Sequence, residues 1–442
     1  MSEINLFEQF RYQVYGCLRK RADALMDLID SLTVAGQVES PVALSEEIPF
    51  RRQHSSIPDA LNQGELDLAA LGQVLYDLQP GEAESIAGYE VYVVDTTPEE
   101  RPEADTLADR GQLKSQKDEP VRVGHKYSWL ARLVTWRSSW IAPLDVQRVA
   151  TASSDSAVAA EQVKALDQRS DRPKVVVADS FYANKFFLAV FLVVKTVVAL
   201  VRLRHNRVLY EQPVPRPAGQ PGAPRKHGSK FKLSNPSRPP DRTEAWSLAG
   251  QLIRLQAWHN LHLRQLPDLV GLALRVEFLK ADGTPRFKQP LWLFWTGPLD
   301  VPLSALCQMY LWRFAIEHAF RFLKGYLGLT ANFSTQLDNT AHWMWLCALA
   351  YWQLLQLRPL VAENRPAWYR RRRPGQPLTP GLVQRAALKI LIGLDGPAKP
   401  PRPAGKGRGR QVGHRPQPRT RFAVVKKSQK RPKMATKALA TA

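Results

Sequence analysis

Two apolar runs in this 442-residue chain lead into an aspartate: YEVYVVDTT (89–97) into Asp95 and KVVVADSFY (174–182) into Asp179. Far downstream, YLWRFAIEHAFRFLKGYLGL (310–329) carries a carboxylate, Glu317, among bases. An aspartate after a strand is commonly just a turn or helix-cap residue, and each one alone reads that way. Three hard oxygen donors brought together are a different matter. They suit Mg²⁺ or Mn²⁺, which take carboxylates and keep positions open for water and phosphate. Two such ions can activate a nucleophile and stabilise the leaving oxygen of an in-line phosphodiester displacement.

At about 100° of rotation per residue, Tyr310, Arg313, Glu317, Arg321 and Lys324 fall on one stripe of a helix that is otherwise strongly apolar. A solvated face with i,i+4 ion pairs is one reading of that stripe. A cleft-facing stripe is the other, in which Arg313, Arg321 and Lys324 hold the backbone of a nucleic-acid strand beside Glu317.

The elements that must position these residues follow in order. Residues 4–35 and a stretch near 60–78 have helical spacing, forming an N-terminal helical module over 1–88 for which packing and DNA binding are both open. The strand ending at Asp95 is followed by a charged loop (98–120), two meander strands (VRVGHKYSWLARLV and SSWIAPLDVQRV), a helix over 156–169, the strand ending at Asp179, a helix to about 194 and the strand TVVALVRLR. This first part of the catalytic domain spans 89–204. A β-rich insertion covers 205–300 and includes a basic Pro/Gly/Ser-rich loop (213–240), read as a DNA contact or a solvated linker, with contact favoured. Helices return over 301–360, carrying Glu317. Residues 361–442 form a basic tail expected to be mostly disordered, with one helix candidate, TPGLVQRAALKILIGL. The order predicts an α/β fold with a mixed sheet in which adjacent strand ends and one covering helix bring the three carboxylates together.

Here the chain resembles a known group. Tyr310, Arg313, Glu317 and Lys324 match Y-x2-R-x3-E-x6-K, the Tyr-Arg-Glu-Lys signature of bacterial insertion-sequence DDE transposases, and VVDTT and VVVADS look like that group's two aspartate strands. The resemblance covers roughly residues 88–330. It implies an RNase H-like catalytic domain in which Asp95, Asp179 and Glu317 bind two Mg²⁺ or Mn²⁺ ions. Tyr310, Arg313 and Lys324 would then grip phosphates at a transposon end. It further implies strand cleavage followed by strand transfer on double-stranded DNA, a homodimer in a paired-end complex, and a nucleoid-associated, cytoplasmic, prokaryotic setting. Members of the group often pass through a DNA hairpin in which an aromatic residue traps a flipped base. Trp295 and Trp312 are candidates for that role, with ordinary packing the stronger reading of each. His125 could lie near the metals and reads more readily as structural. In the tail, GKGRGR resembles a minor-groove arm, with Arg408 and Arg410 as the contacting residues, or else serves as a non-specific tether.

Charge and cysteine content fit this picture. From Arg365 onward there are 21 Lys and Arg against one acid, Asp395, so that segment carries +20 of the net +22. Any nucleic-acid surface on the remainder is therefore a local patch. Cys17, Cys307 and Cys347 are scattered, without disulfide or metal-ligand spacing, as expected in a reducing compartment. FFLAVFLVV before Lys195 is too short for a membrane span and reads as a buried helix leading into a strand. Two other functions stay open: a nuclease that cuts without joining, and a non-catalytic DNA-binding relic. Three carboxylates argue against the relic, because they repel a phosphate backbone unless metal lies between.

Overall fold

The computed structural model describes residues 3–81, 83–113, 120–214, 223, 225–361, 378–403, 409, 413, 415 and 417–426. At the N-terminus, α1 (Glu3–Gly16), β1 (Leu18–Lys20), α2 (Ala22–Val34), α3 (Ser56–Gln63), β2 (Glu65–Leu66) and α4 (Leu68–Asp77) form a helical layer. The helix expected over 4–35 is two helices. Leu18–Lys20 leaves it to pair antiparallel with Glu65–Leu66, and Arg21 takes up a left-handed backbone (φ 56°), which no α-helix can continue through.

The core sheet follows. β3 (Ser85–Ile86), β4 (Tyr89–Glu100), β5 (Gly111–Gln112), β6 (Val123–Leu133) and β7 (Ile141–Arg148) precede α5 (Asp155–Asp167), which is capped by the Ser154 hydroxyl. Then come β8 (Lys174–Ala178), α6 (Lys185–Leu188) and β9 (Val197–Leu203). β7, β6 and β4 are successively antiparallel, while β8 and β9 are parallel to β4, in the order β7-β6-β4-β8-β9. A mixed sheet of this order is consistent with an RNase H-like domain. β8 is buried along its whole length, as its unbroken apolar run requires.

The β-rich segment supplies β10 (Val208–Glu211), β11 (Lys230–Lys232), β12 (Arg242–Leu248), β13 (Gln251–Leu263), β14 (Leu266–Phe278) and β15 (Leu291–Trp295). It continues the core sheet, since β15 pairs antiparallel with β9 from Trp292↔Leu203 to Trp295↔Leu200. Part of the basic loop read from the sequence (215–222 and 224) lies outside the described residues.

The chain then enters α7 (Leu303–Trp312), α8 (Phe314–Gly325), α9 (Leu337–Leu357) and α10 (Pro380–Leu391). α9 is apolar on every side and buried on every side, touching α1, α2, α3, α8, α10 and β7. Its Gln353 donates to Asp30 (2.8 Å), whose other oxygen holds the buried Arg11 (2.5 Å). The N-terminal helices therefore share one core with the helices after the sheet. Among the described residues no helix is long and apolar enough to cross a membrane.

Within the tail, α10 lies in the helix candidate TPGLVQRAALKILIGL. α10 buries Val383, Ala387 and Leu391, and Gln384 donates to the Ala35 carbonyl. Arg51 and Arg52 hold the carbonyls of Ala398 and Lys399. Farther on, the Phe422 and Val425 amides donate to the Asp105 and Arg110 carbonyls, both at 2.7 Å. Apolar spacing within a basic stretch was enough to bury one helical face.

β4 is longer than its apolar run. Pairing with β6 continues past Asp95 to Glu100↔Gly124, so Pro98–Glu100 belong to the strand instead of a loop. Pro98 is tolerated because β8 has ended and that edge of β4 is open. Inside the extension, Glu99 is almost wholly buried beside Arg101, which also donates to the Asn332 and Ser334 carbonyls and so anchors the α8–α9 connection. Burial pushes the Glu99 carboxyl up to about 7, with Arg101 opposing. The folded state therefore binds this proton more tightly than the unfolded chain, and stability is lost as pH rises from about 5 to about 8, by an amount on the order of 3 kcal/mol. Glu99→Gln should flatten the pH dependence of Tm across that window and raise Tm at pH 8. A variant whose Tm falls in parallel with wild type would remove Glu99 as the cause.

Candidate functional site

Asp95 and Asp179 come level through strand register. In the parallel β4–β8 ladder Val93 stands opposite Val177, so two residues further on Asp95 is level with Asp179, both on the same face. Asp179 lies just past the end of β8 and accepts the Phe181 amide (2.8 Å). Asp95 lies within β4, where the ladder to β8 stops and the ladder to β6 goes on. Its Oδ1 accepts the Thr96 amide (2.8 Å).

Glu317 reaches Asp95 through an arginine. The long helix expected over 310–329 breaks at Arg313, between α7 and α8. The Arg313 side chain is buried against the rings of Tyr310 and Phe314. Its Nη1 donates to Asp95 Oδ2 (3.0 Å) and its Nη2 to Glu317 Oε1 (2.5 Å). One buried guanidinium thus joins the first aspartate strand to the glutamate helix. Its Nε has no partner among the described residues.

The Asp95 carboxyl feels both of the other acids. Burial pushes the Asp95 carboxyl up to about 6; Arg313 and the Thr96 amide oppose this, while Asp179 and Glu317 add to it. Like charges within interaction range compete for one cation. The donors are all hard oxygens, with no Cys or His among them, which is the chemistry of a Mg²⁺ or Mn²⁺ site. Among the described residues, however, no group of three or more His, Cys, Asp or Glu is close enough to hold a metal ion as it stands. The charge compensation between Asp95 and Glu317 comes from Arg313.

The other residues of the stripe part company. Tyr310 is buried beneath Arg313. Lys324 is half-buried and donates to the Pro98 carbonyl (3.2 Å), and burial lowers its pKa. Arg321 is exposed, and Glu317 keeps 44% of its side-chain surface. Neither extreme reading of the stripe holds, since its first half is a buried ion-pair joint and its second half is a rim. Trp295 and Trp312 are both buried, with indole N–H groups donating to the carbonyls of Pro298 (2.8 Å) and Thr135 (3.1 Å), and so cannot receive a base. His125 is buried four register steps from Asp95, bonded to the Ala108 carbonyl, and is structural. Arg408 and Arg410 lie outside the described residues.

Sequence reading missed two residues that touch the site. The Tyr182 hydroxyl bonds the Thr96 hydroxyl (2.8 Å), tying the turn after Asp179 to the strand of Asp95. Tyr182 is fully buried, which raises its pKa, and Asp95 and Asp179 add to the rise. Only the polar Thr96 beside Asp95 hinted at such a partner.

Removing the cation from a buried pair strands its carboxylates. Arg313→Met should therefore lower unfolding stability by about 3 kcal/mol, whereas Arg321→Ala should stay within about 0.5 kcal/mol of wild type. Urea midpoints at neutral pH test this. Equal effects at the two positions would show that Arg313 is not the joint.

The profile of the DDE superfamily endonucleases matches residues 13–266. The match takes in Asp95, Asp179 and most of the sheet but ends before the Tyr310–Lys324 stripe. No curated protein matches the chain. With more than half its length matched, over the strands that set the two aspartates level, the chain belongs to the DDE superfamily endonucleases.

Proposed function

We propose that the chain is a transposase that cuts DNA at the ends of an insertion sequence and transfers the freed strand to a second DNA. The observation that carries this reading is the arrangement of Asp95 and Asp179, level on adjacent parallel strands, with Glu317 tied to Asp95 through Arg313. The family supports nuclease or transposase chemistry on DNA. Asp95, Asp179 and Glu317 would hold two divalent ions, Mg²⁺ or Mn²⁺, which supply activation of the attacking oxygen and stabilisation of the leaving one.

The chain's own groups divide the remaining work. Arg313 keeps an unpartnered Nε among the described residues, and its planar guanidinium fork is suited to a phosphate. Tyr310 supports that guanidinium from beneath. Arg321 and Lys324, one and two turns beyond Glu317, flank the path of the backbone with positive charge. Thr96 and Tyr182 hold the two aspartate segments at a fixed separation. The tail, with most of the net charge, adds salt-dependent, sequence-independent affinity. A homodimer on paired DNA ends and a prokaryotic, nucleoid-associated setting belong to the same proposal.

A second reading is an endonuclease that cuts without joining. It is favoured by the matched family's description as endonucleases.

The test is cleavage of labelled duplex carrying the repeats that flank the gene, with Mg²⁺ or Mn²⁺, comparing wild type with Glu317→Gln. The variant should bind DNA as wild type does and lose more than the roughly 10–100-fold in cleavage that an outer-shell partner costs. Equal cleavage by the two proteins would remove Glu317 from the catalytic set. Joining of the cut strand to a second duplex separates transposase from nuclease.

A further inference from the structure

A second cluster of charge lies at the opposite end of the core sheet. Glu90 is five residues before Asp95 on β4, or about 17 Å along the strand. Around it is an open cleft of ≈ 700 Å³ whose walls include Tyr76, Gln79, Arg132, Arg169 and Arg172. The three arginines come from three places: β6, the end of α5 and the loop before β8. The tight β3–β4 turn closes one side, with positive φ at Ala87 (51°) and Gly88 (82°).

The cluster is built around a buried carboxylate. Glu90 is 4% exposed; it accepts from Tyr92 (2.8 Å) and Tyr76 (3.4 Å) and pairs with Arg172 (3.2 Å) and Arg132 (3.4 Å). Beneath the cleft, Lys174 is fully buried and spends its donors on the Ser170 and Arg172 carbonyls and the Thr196 hydroxyl. Arg169 donates to Gln73 (3.0 Å) and lies over Gly72, where a Cβ would come within 2.6 Å of its Nη2. Arg132 and Arg172 therefore pair with one buried carboxylate, with Arg169 and Lys174 beside them, the exposed Asp77 at the rim, and Asp167 and Asp171 acting on Lys174.

Arg132 shows what is missing. It is 6% exposed; its Nη1 is taken by Gln79 and Glu90, and its Nη2 is 3.5 Å from the Ala83 carbonyl. Its Nε, although buried, has no partner among the described residues. A buried guanidinium N–H left open at a polar cleft with surplus positive charge is costly, and an oxyanion relieves both deficits. Guanidinium groups match the oxygen spacing of a phosphate, and their hydrogen bonds to it are charge-assisted.

We propose that this cleft is a phosphate-binding site, separate from the carboxylate centre, in which Arg132, Arg169 and Arg172 take the oxygens of a phosphate group and Glu90 positions two of them. The phosphate belongs to a DNA backbone held away from the carboxylate centre or is a free ion.

The test is equilibrium dialysis of the full chain against labelled inorganic phosphate at constant ionic strength. Arg132 is buried, so the rim variant Arg172→Gln carries the test, with Arg169→Gln as a second and the exposed Lys164→Gln as a charge control. Wild type and Lys164→Gln should bind one phosphate saturably, and each arginine variant should bind at least about tenfold more weakly. No saturable binding in wild type, or equal binding by all four proteins, would overturn the site. Binding of a short duplex then identifies the source of the phosphate. Arg172→Gln weakens it if the phosphate belongs to DNA and leaves it unchanged if the ion is free, and either result is compatible with the site. Because the probe is inorganic phosphate, the outcome is independent of whether Glu317→Gln abolishes cleavage.

Discussion

The carboxylate centre depends on one guanidinium. Arg313 stands where α7 passes into α8, buried between two aromatic rings, and divides its two terminal nitrogens between Asp95 and Glu317. A strand residue and a helix residue separated by more than two hundred positions are thereby held in register. A charge so buried is tolerable only while both carboxylates stay in place, so the pairing fixes the helix on the sheet as much as it neutralises the acids. The break in the helix belongs to the same arrangement. It falls on Arg313 itself, where the chain must bring a side chain from the helix axis toward β4.

The rest of the molecule is the frame for that joint. β8 stops at Ala178, which exposes one edge of β4 at the level of Asp95 and lets Asp179 turn in beside it. The β-rich segment leaves through β10 and returns through β15 onto β9, so it extends the sheet and delivers the chain to α7 next to the strands that carry the acids. Behind α8, α9 is buried by the N-terminal helices and by α10 from the basic tail. Arg101 locks the α8–α9 connection to the extension of β4. Most of the chain thus serves to keep a short helix over two strand ends.

Such a frame has two charged places on one sheet, of opposite character. Near Asp95, two acids share one arginine, with a third acid level on the next strand; near Glu90, two arginines share one buried carboxylate. Both lie along β4, one where its parallel neighbour ends and the other where that neighbour begins.

Much of this was legible in the residues. Unbroken apolar runs marked β4, β8 and β9 because strands buried on both faces have no polar alternation to hide them. Asp95, Asp179 and Glu317 stood out because carboxylates are rare beside such runs. Composition also set the surplus charge in the tail and the absence of a long apolar helix among the described residues. Other features depended on partners distant in sequence. β4 extends through Pro98–Glu100 only because β6 continues beside it. The segment over 4–35 breaks because Leu18–Lys20 finds Glu65–Leu66. The helical period put Tyr310, Arg313, Glu317 and Lys324 on one stripe but could not say that its first half is buried and its last half is a rim, because burial depends on what packs against it. The sequence determined the kinds of chemical groups and their local periodicity, which are properties of each segment. Tertiary structure decided which charges meet, because a pairing such as Arg313 with Asp95 exists only once the sheet has set the strands and the helix has been laid across them.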